Sequence, residues 1–103
     1  MRQKKKEYLN SYLIMEAKIN RLRKMSSINP EFKDTYSKGL IDALELRLKI
    51  ERQISEVDNG VLSELLYQKY IFGKSLEEVS YIINYSLRHT ERLHIKALDK
   101  FKM

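Results

Sequence analysis

Residues 75–101 of this 103-residue chain read SLEEVSYIINYSLRHTERLHIKALDKF. Two helix starts are encoded in this stretch. Ser75 followed three residues later by Glu78 forms a capping box, in which each residue satisfies a free backbone amide of the other. Ser86 is a favourable N-cap for a second helix, and Asn84 between the two tolerates a left-handed turn.

These signals predict a short helix from Ser75 to Ile82 or Ile83, a turn, and a longer helix from Ser86 to Phe101 or Lys102. Apolar spacing agrees with both helices, and Ser80 is small enough for a close crossing. The faces expected to meet carry Leu76, Val79, Ile83, Thr90, Leu93, Ala97 and Phe101, with Tyr85 filling the gap between them. The outline is that of a helix-turn-helix.

On the other side of the last helix, basic residues recur at steps of four: Arg88, Arg92, Lys96 and Lys100. A recognition helix presents its N-terminal side chains to base edges in the major groove, and Arg donates two hydrogen bonds to guanine. We expect base contacts from Leu87, Arg88, His89, Glu91 and Arg92, and phosphate contacts from Ser75, Ser86, Lys96 and Lys100. The alternative is a solvated cationic face whose charges suit the helix dipole.

The rest of the chain is also predicted to be helical, because it has only three glycines and one proline beside 33% charged residues. Helices are expected over about 4–25, 40–57 and 61–72, with a loop over 26–38. Gly60 is expected to be left-handed, with Asp58 or Asn59 capping the third helix. The fold class is therefore all-α, with an N-terminal helical segment over 1–57 and a helix-turn-helix module over 58–103.

The first helix has a heptad-like apolar seam of Tyr8, Tyr12, Met15, Ile19 and Leu22. Such a seam either folds back on the domain or pairs with a second copy in a homodimer. Dimerisation would double the DNA site.

The net charge of +6 points to an anionic partner. The first 25 residues account for an excess equal to the whole surplus. A secondary basic patch is predicted from Lys4, Lys5, Lys6, Arg21 and Lys24. The alternative for the terminal lysines is a solvated, frayed helix end.

Several classes of protein are disfavoured. Cysteine is absent, which suits a reducing cytoplasm, and the longest apolar run, Tyr12–Met15, is too short for a membrane span. His89 and His94 are five residues apart on one helix and diverge by about 140°, so they do not share a metal. No Gly-rich phosphate loop or nucleophile elbow is present. We therefore expect no enzyme, cofactor, metal or membrane association.

The stretch from about Leu62 to Phe101 resembles region four of bacterial sigma factors. It is more closely similar to the small sigma-like late-transcription regulators of Gram-positive phages and their satellites, of RinA or ArpU type. The segments that carry the resemblance are Leu66–Ile71, Ser75–Ser80, Tyr85–Ser86, Thr90, Arg92–His94, Lys96–Leu98 and Phe101. The resemblance implies binding of double-stranded DNA upstream of phage genes, in the cytoplasm of a bacterial host.

The sequence departs from sigma factors within the last helix. Sigma factors have basic residues at the positions of Leu87 and Glu91, and often an acidic residue at the position of Arg88. The promoter element that sigma factors recognise is therefore not implied. The function expected is a sequence-specific transcriptional regulator. The alternative is a sigma-like module that binds RNA polymerase or another phage regulator without contacting DNA bases.

Overall fold

A computed structural model describes all 103 residues as an all-α fold of five helices. These are α1 (Arg2–Ile28), α2 (Lys33–Ser55), α3 (Gly60–Leu66), α4 (Leu76–Ile83) and α5 (Leu87–Lys100). A short 3₁₀ turn, Pro30–Phe32, joins α1 to α2, and a π-helical turn, Tyr67–Ile71, extends α3. The all-α class predicted from the sequence is confirmed.

Helices α1 and α2 pack against each other as a long hairpin, and the loop predicted over 26–38 is wrong at both ends. Residues 26–28 belong to α1, and α2 begins at Lys33. The connection is reduced to Asn29 and the 3₁₀ turn that starts with Pro30. Pro30 ends α1 because proline disfavours helical geometry in the residue before it.

The loop was predicted to extend to residue 38 because Gly39 was interpreted as its end. It lies inside α2, where a Cβ atom would come within 3.3 Å of the Leu22 Cδ1 atom. Glycine therefore has a packing role here, since it lets the two helices approach closely. A helix interior tolerates glycine at a cost of about 1 kcal/mol, which tertiary packing offsets.

The molecule is elongated, with principal extents of 52 × 24 × 21 Å and a radius of gyration of 16.1 Å. A compact domain of this length would have a radius of gyration of about 13 Å. The main core gathers Leu9 and Tyr12 of α1, the end of α2, and all later helices. The distal part of the hairpin, with buried Ile19, Leu22 and Ala43, lies outside that core cluster.

The apolar seam of α1 folds back within the chain. Tyr12, Ile19 and Leu22 of the seam are buried, and Tyr8 packs at the edge of the main core. Leu9, which the seam did not include, is fully buried as well. A single chain thus covers this surface, which is one of the two alternatives left open by the sequence.

The left-handed glycine is Gly73, and the expectation for Gly60 is wrong. Gly73 follows the π-helical turn with φ +70°, whereas Gly60 is the first residue of α3. The Asn59 side chain caps α3 by accepting from the amides of Val61 and Leu62. A capped helix can start directly at Gly60, so no left-handed restart is needed. No helix combines the length and apolar character needed to cross a bilayer.

Replacing Gly73 with Ala should destabilise the protein through the backbone. The added Cβ would meet the Leu13 Cδ1 atom at an ordinary 3.4 Å, but a positive φ costs a residue with a Cβ roughly 1–2 kcal/mol. We expect Gly73→Ala to lower the free energy of unfolding by about that amount in urea denaturation followed by circular dichroism.

Gly60→Ala is the matched control for this experiment. A Cβ at Gly60 has no atom within 4 Å, and its φ is not in the left-handed region. Its free energy of unfolding should equal or slightly exceed that of the unmodified protein. An equal loss in both variants would contradict a backbone origin.

Candidate nucleic-acid interface

The start of α4 and the start of α5 are both built by serine caps. The Ser75 hydroxyl accepts from the Glu78 amide at 3.1 Å, and the Glu78 carboxylate accepts from the Ser75 amide at 3.1 Å. These bonds hold the pKa of Glu78 below its usual value. At α5 the Ser86 hydroxyl accepts from the His89 amide at 3.1 Å. Both helices therefore begin as predicted.

The turn between these helices depends on a single left-handed residue. Asn84 has φ 62° and ψ 44°, and the amides of Asn84 and Tyr85 both donate to the Ser80 carbonyl. Thr90 closes the first turn of α5 by donating its hydroxyl to the Ser86 carbonyl at 2.9 Å. The direction of α5 relative to α4 is thus set by residues 80–90, as the sequence indicated.

Burial divides α5 into an inner and an outer side. The inner side contains Thr90, His94, Ala97, Leu98 and the following Phe101, all buried. The predicted base and phosphate contacts of α5 are all exposed: Leu87, Arg88, His89, Glu91, Arg92, Lys96 and Lys100. Ser75 and Ser86 are exposed at the two helix starts.

Two rows of side chains run along the exposed side of α5, and only the basic row was predicted from the sequence. Arg88, Arg92, Lys96 and Lys100 form the basic row at steps of four residues. Leu87, Glu91, Ile95 and Asp99 form a second row at the same steps, displaced by one residue around the helix, and Asp99 at its end is paired with Arg2. Ile95 was missed because an apolar residue next to the core face is usually assigned to the core, yet 45% of it is exposed.

His94 belongs to the core of the domain. Its Nε2 atom and the Tyr70 hydroxyl share a hydrogen bond of 2.6 Å in the interior. Burial, followed by the nearby charges of Lys69 and Lys6, lowers the pKa of His94 to about 4. Burial also raises the pKa of Tyr70 to about 12, so both groups are neutral at pH 7.

Tyr85 does not fill the gap between α4 and α5 as expected. The side chain is 45% exposed, and its ring lies against that of His89 with the centroids 4.8 Å apart. Val79, Ser80 and Thr90 are buried where the two helices meet, so no space is left for a large ring. Tyr85 and His89 instead form an exposed aromatic pair at the start of α5.

The five basic residues predicted as a secondary patch do not form one surface. Lys5 and Arg21 are 16 residues apart on α1, which places them about 24 Å apart along its axis. Lys5 is engaged in a structural contact, because its Nζ atom donates to the Leu98 carbonyl at 2.8 Å. Lys4 is exposed near that contact, while Arg21 and Lys24 are exposed towards the far end of α1.

The start of α1 holds the end of α5. Arg2 makes two hydrogen bonds to the Asp99 carboxylate, at 2.9 and 3.1 Å, which keep the pKa of Asp99 below its usual value. Lys5 caps a carbonyl in the last turn, where a cation suits the helix dipole. Exposed ion pairs contribute little free energy, so these contacts add only slightly to the burial that holds α5 in place.

Comparison with protein-family models, with curated proteins and with solved structures gives no significant match for this chain.

Replacing His94 with Gln should reduce the loss of free energy of unfolding at acid pH. The folded pKa of about 4 lies below the value of 6.5 for a free histidine, so folding favours the neutral ring. This contribution is complete above pH 6.5 and is lost as the pH falls towards 4, by up to about 1.4 kcal/mol per pH unit. We expect urea denaturation between pH 7 and 4.5 to show a smaller fall for His94→Gln.

His89→Gln is the control, because His89 is exposed on the same helix. It should keep the pH dependence of the unmodified protein. An unchanged pH dependence in His94→Gln would contradict the effect of burial.

Proposed function

We propose that this chain is a sequence-specific DNA-binding transcriptional regulator that places the start of α5 in the major groove. The observation that carries the proposal is the basic row of α5. Arg88 and Arg92 are exposed on its first two turns, while the opposite side of the helix is held in the core. A fixed backbone with free arginines is the arrangement that base recognition requires.

The side chains divide into two kinds of contact. Arg88 and Arg92 donate pairs of hydrogen bonds to guanine edges, and Glu91 accepts from a cytosine amino group. Ser75 and Ser86 use their oxygens as helix caps, so each hydroxyl proton is free to donate to a phosphate. Lys96 and Lys100 add cationic contacts to the DNA backbone.

The sigma-like resemblance of residues 62–101 extends this proposal to a biological setting. A small regulator encoded by a phage or mobile element of a Gram-positive bacterium would act on promoters near late or packaging genes. The arrangement of α4, the turn and α5 is compatible with that resemblance. The departures at Leu87, Arg88 and Glu91 support a target sequence different from that of sigma factors.

Replacing Arg88 and Arg92 together with Ala should abolish sequence-specific binding while leaving the fold intact. Each two-bond contact to guanine contributes about 1–3 kcal/mol of discrimination against other bases. The unmodified protein should enrich a defined sequence from a random duplex library and bind it with strong salt dependence. The double variant should retain only weak, sequence-independent binding in a mobility-shift titration.

Lys49→Ala combined with Arg52→Ala is a matched control, since it removes two exposed positive charges from α2. This control should bind the selected sequence with nearly the affinity of the unmodified protein. If the Arg88 and Arg92 double variant bound that sequence equally well, α5 would not be the recognition helix.

A second candidate function, a protein-interaction module, is favoured by exposed aromatic residues at and before α4. Tyr81 is 77% exposed and Phe72 is 64% exposed. Ile82 adds an apolar side chain to the outer side of the same helix. Aromatic residues at the surface are typical anchors of protein interfaces.

Pull-down of purified bacterial RNA polymerase separates the two candidates. For an interaction module, Tyr81→Ala should abolish capture, whereas the Arg88 and Arg92 double variant should be captured normally. Leu48→Ala, at an exposed apolar residue of α2, is the control for loss of surface area. Absence of capture by the unmodified protein would count against polymerase as the partner.

A further inference from the structure

We infer that the second row of α5 recognises thymine, with Leu87 and Ile95 each contacting the 5-methyl group of a thymine in the major groove. This inference rests on the proposed DNA-binding function and deepens it. The basic row explains recognition of guanine but leaves the neighbouring apolar side chains without a partner. Thymine is the base that presents an apolar group at the major-groove edge.

Leu87 and Ile95 are the two apolar side chains on the exposed side of α5, a surface that otherwise carries charged and polar groups. Leu87 is 41% exposed and Ile95 is 45% exposed. The inner side of α5 is already filled by Thr90, His94 and Ala97. The exposed side chains therefore have no core role that would account for both of them.

The charges beside the row favour nucleic acid as the occupant. Each of the two apolar residues is followed directly in sequence by a basic residue, Arg88 after Leu87 and Lys96 after Ile95. Glu91, midway along the row, is followed by Arg92. An apolar protein partner would have to desolvate these cations, whereas the DNA backbone neutralises them.

The spacing of Leu87 and Ile95 along α5 predicts how far apart the two thymines lie. Leu87 and Ile95 are eight residues apart, which is about 12 Å along an α-helix. Whatever the inclination of α5 to the DNA axis, that distance spans at most three or four base-pair steps of about 3.4 Å. Glu91 lies midway, where it would accept from a cytosine amino group. The preferred site should therefore contain two thymines separated by a few base pairs that include G·C pairs.

Removal of single methyl groups from the DNA tests this directly. A duplex is first selected by the full-length protein from a thymine-containing random library. Each thymine of the selected site is then replaced in turn by uracil, which lacks only the 5-methyl group. Affinity measured by fluorescence anisotropy should fall roughly fourfold at each contacted thymine, as expected for loss of one buried methyl group. Other thymines should tolerate the change.

Protein variants assign each methyl group to its side chain. Leu87→Ala should bind the thymine and uracil forms equally at one of the sensitive positions, and Ile95→Ala should do so at the other. Ile41→Ala, which truncates an exposed apolar residue of α2, is the matched control and should keep both differences. Circular dichroism should show an unchanged helix content, since both side chains lie at the surface of α5.

The outcomes separate this inference from the proposed function. Selection of a defined sequence that binds equally well with uracil at every thymine would overturn the thymine contacts while leaving DNA recognition standing. Failure of any sequence to be enriched would overturn the DNA-binding function itself. Sensitivity to uracil that persists in both Leu87→Ala and Ile95→Ala would show that other residues contact the methyl groups, and would overturn the assignment.

Discussion

The burial of the inner side of α5 is the constraint on which the rest of the fold depends. A helix of fourteen residues is marginal in water, so α5 needs a partner surface to persist. That surface comes from α3, α4 and the start of α1, which all pack against it. Leu98 and Phe101 are fully buried there, and the buried His94–Tyr70 hydrogen bond satisfies the polar groups at the same interface. The long hairpin thus has a direct structural effect on the candidate interface, because its first turn holds the end of α5.

Local signals made the last thirty residues predictable. A helix cap or a left-handed Asn determines the structure of only the few residues around it. The positions of α4, the turn and α5 could therefore be predicted without knowledge of the distant fold. Ser75, Asn84 and Ser86 have the roles expected of them. The apolar spacing of the inner side was equally informative, since Thr90, Ala97 and Phe101 are buried as expected.

The predictions were wrong where the role of a residue depends on a contact with a distant part of the chain. Gly39 resembled a loop signal but is required by a close approach to Leu22. The sequence does not show which of Gly60 and Gly73 has a positive φ. Gly73 has it because it lies in the turn after the π-helical segment. His94 was considered in the sequence only as a metal ligand, whereas its hydrogen bond to Tyr70, 24 residues away, makes it part of the core. Hydrophobic periodicity does not predict such contacts, because it indicates which face of a helix is buried but not which residues pack against that face.

The net charge of +6 is a poor guide to the candidate interface. Its largest share lies in α1, where Arg2 and Lys5 are occupied in holding α5. The exposed side of α5 is a mixture of cations, two apolar side chains and two carboxylates, of which Asp99 is paired with Arg2. Uniform positive charge would bind any DNA, because phosphates are the same at every sequence. Discrimination requires side chains that match different base edges, and the two rows of α5 supply guanidinium, carboxylate and apolar groups side by side. The basic row together with the different chemical groups beside it, and not the net charge of the chain, therefore argues for recognition of a particular sequence.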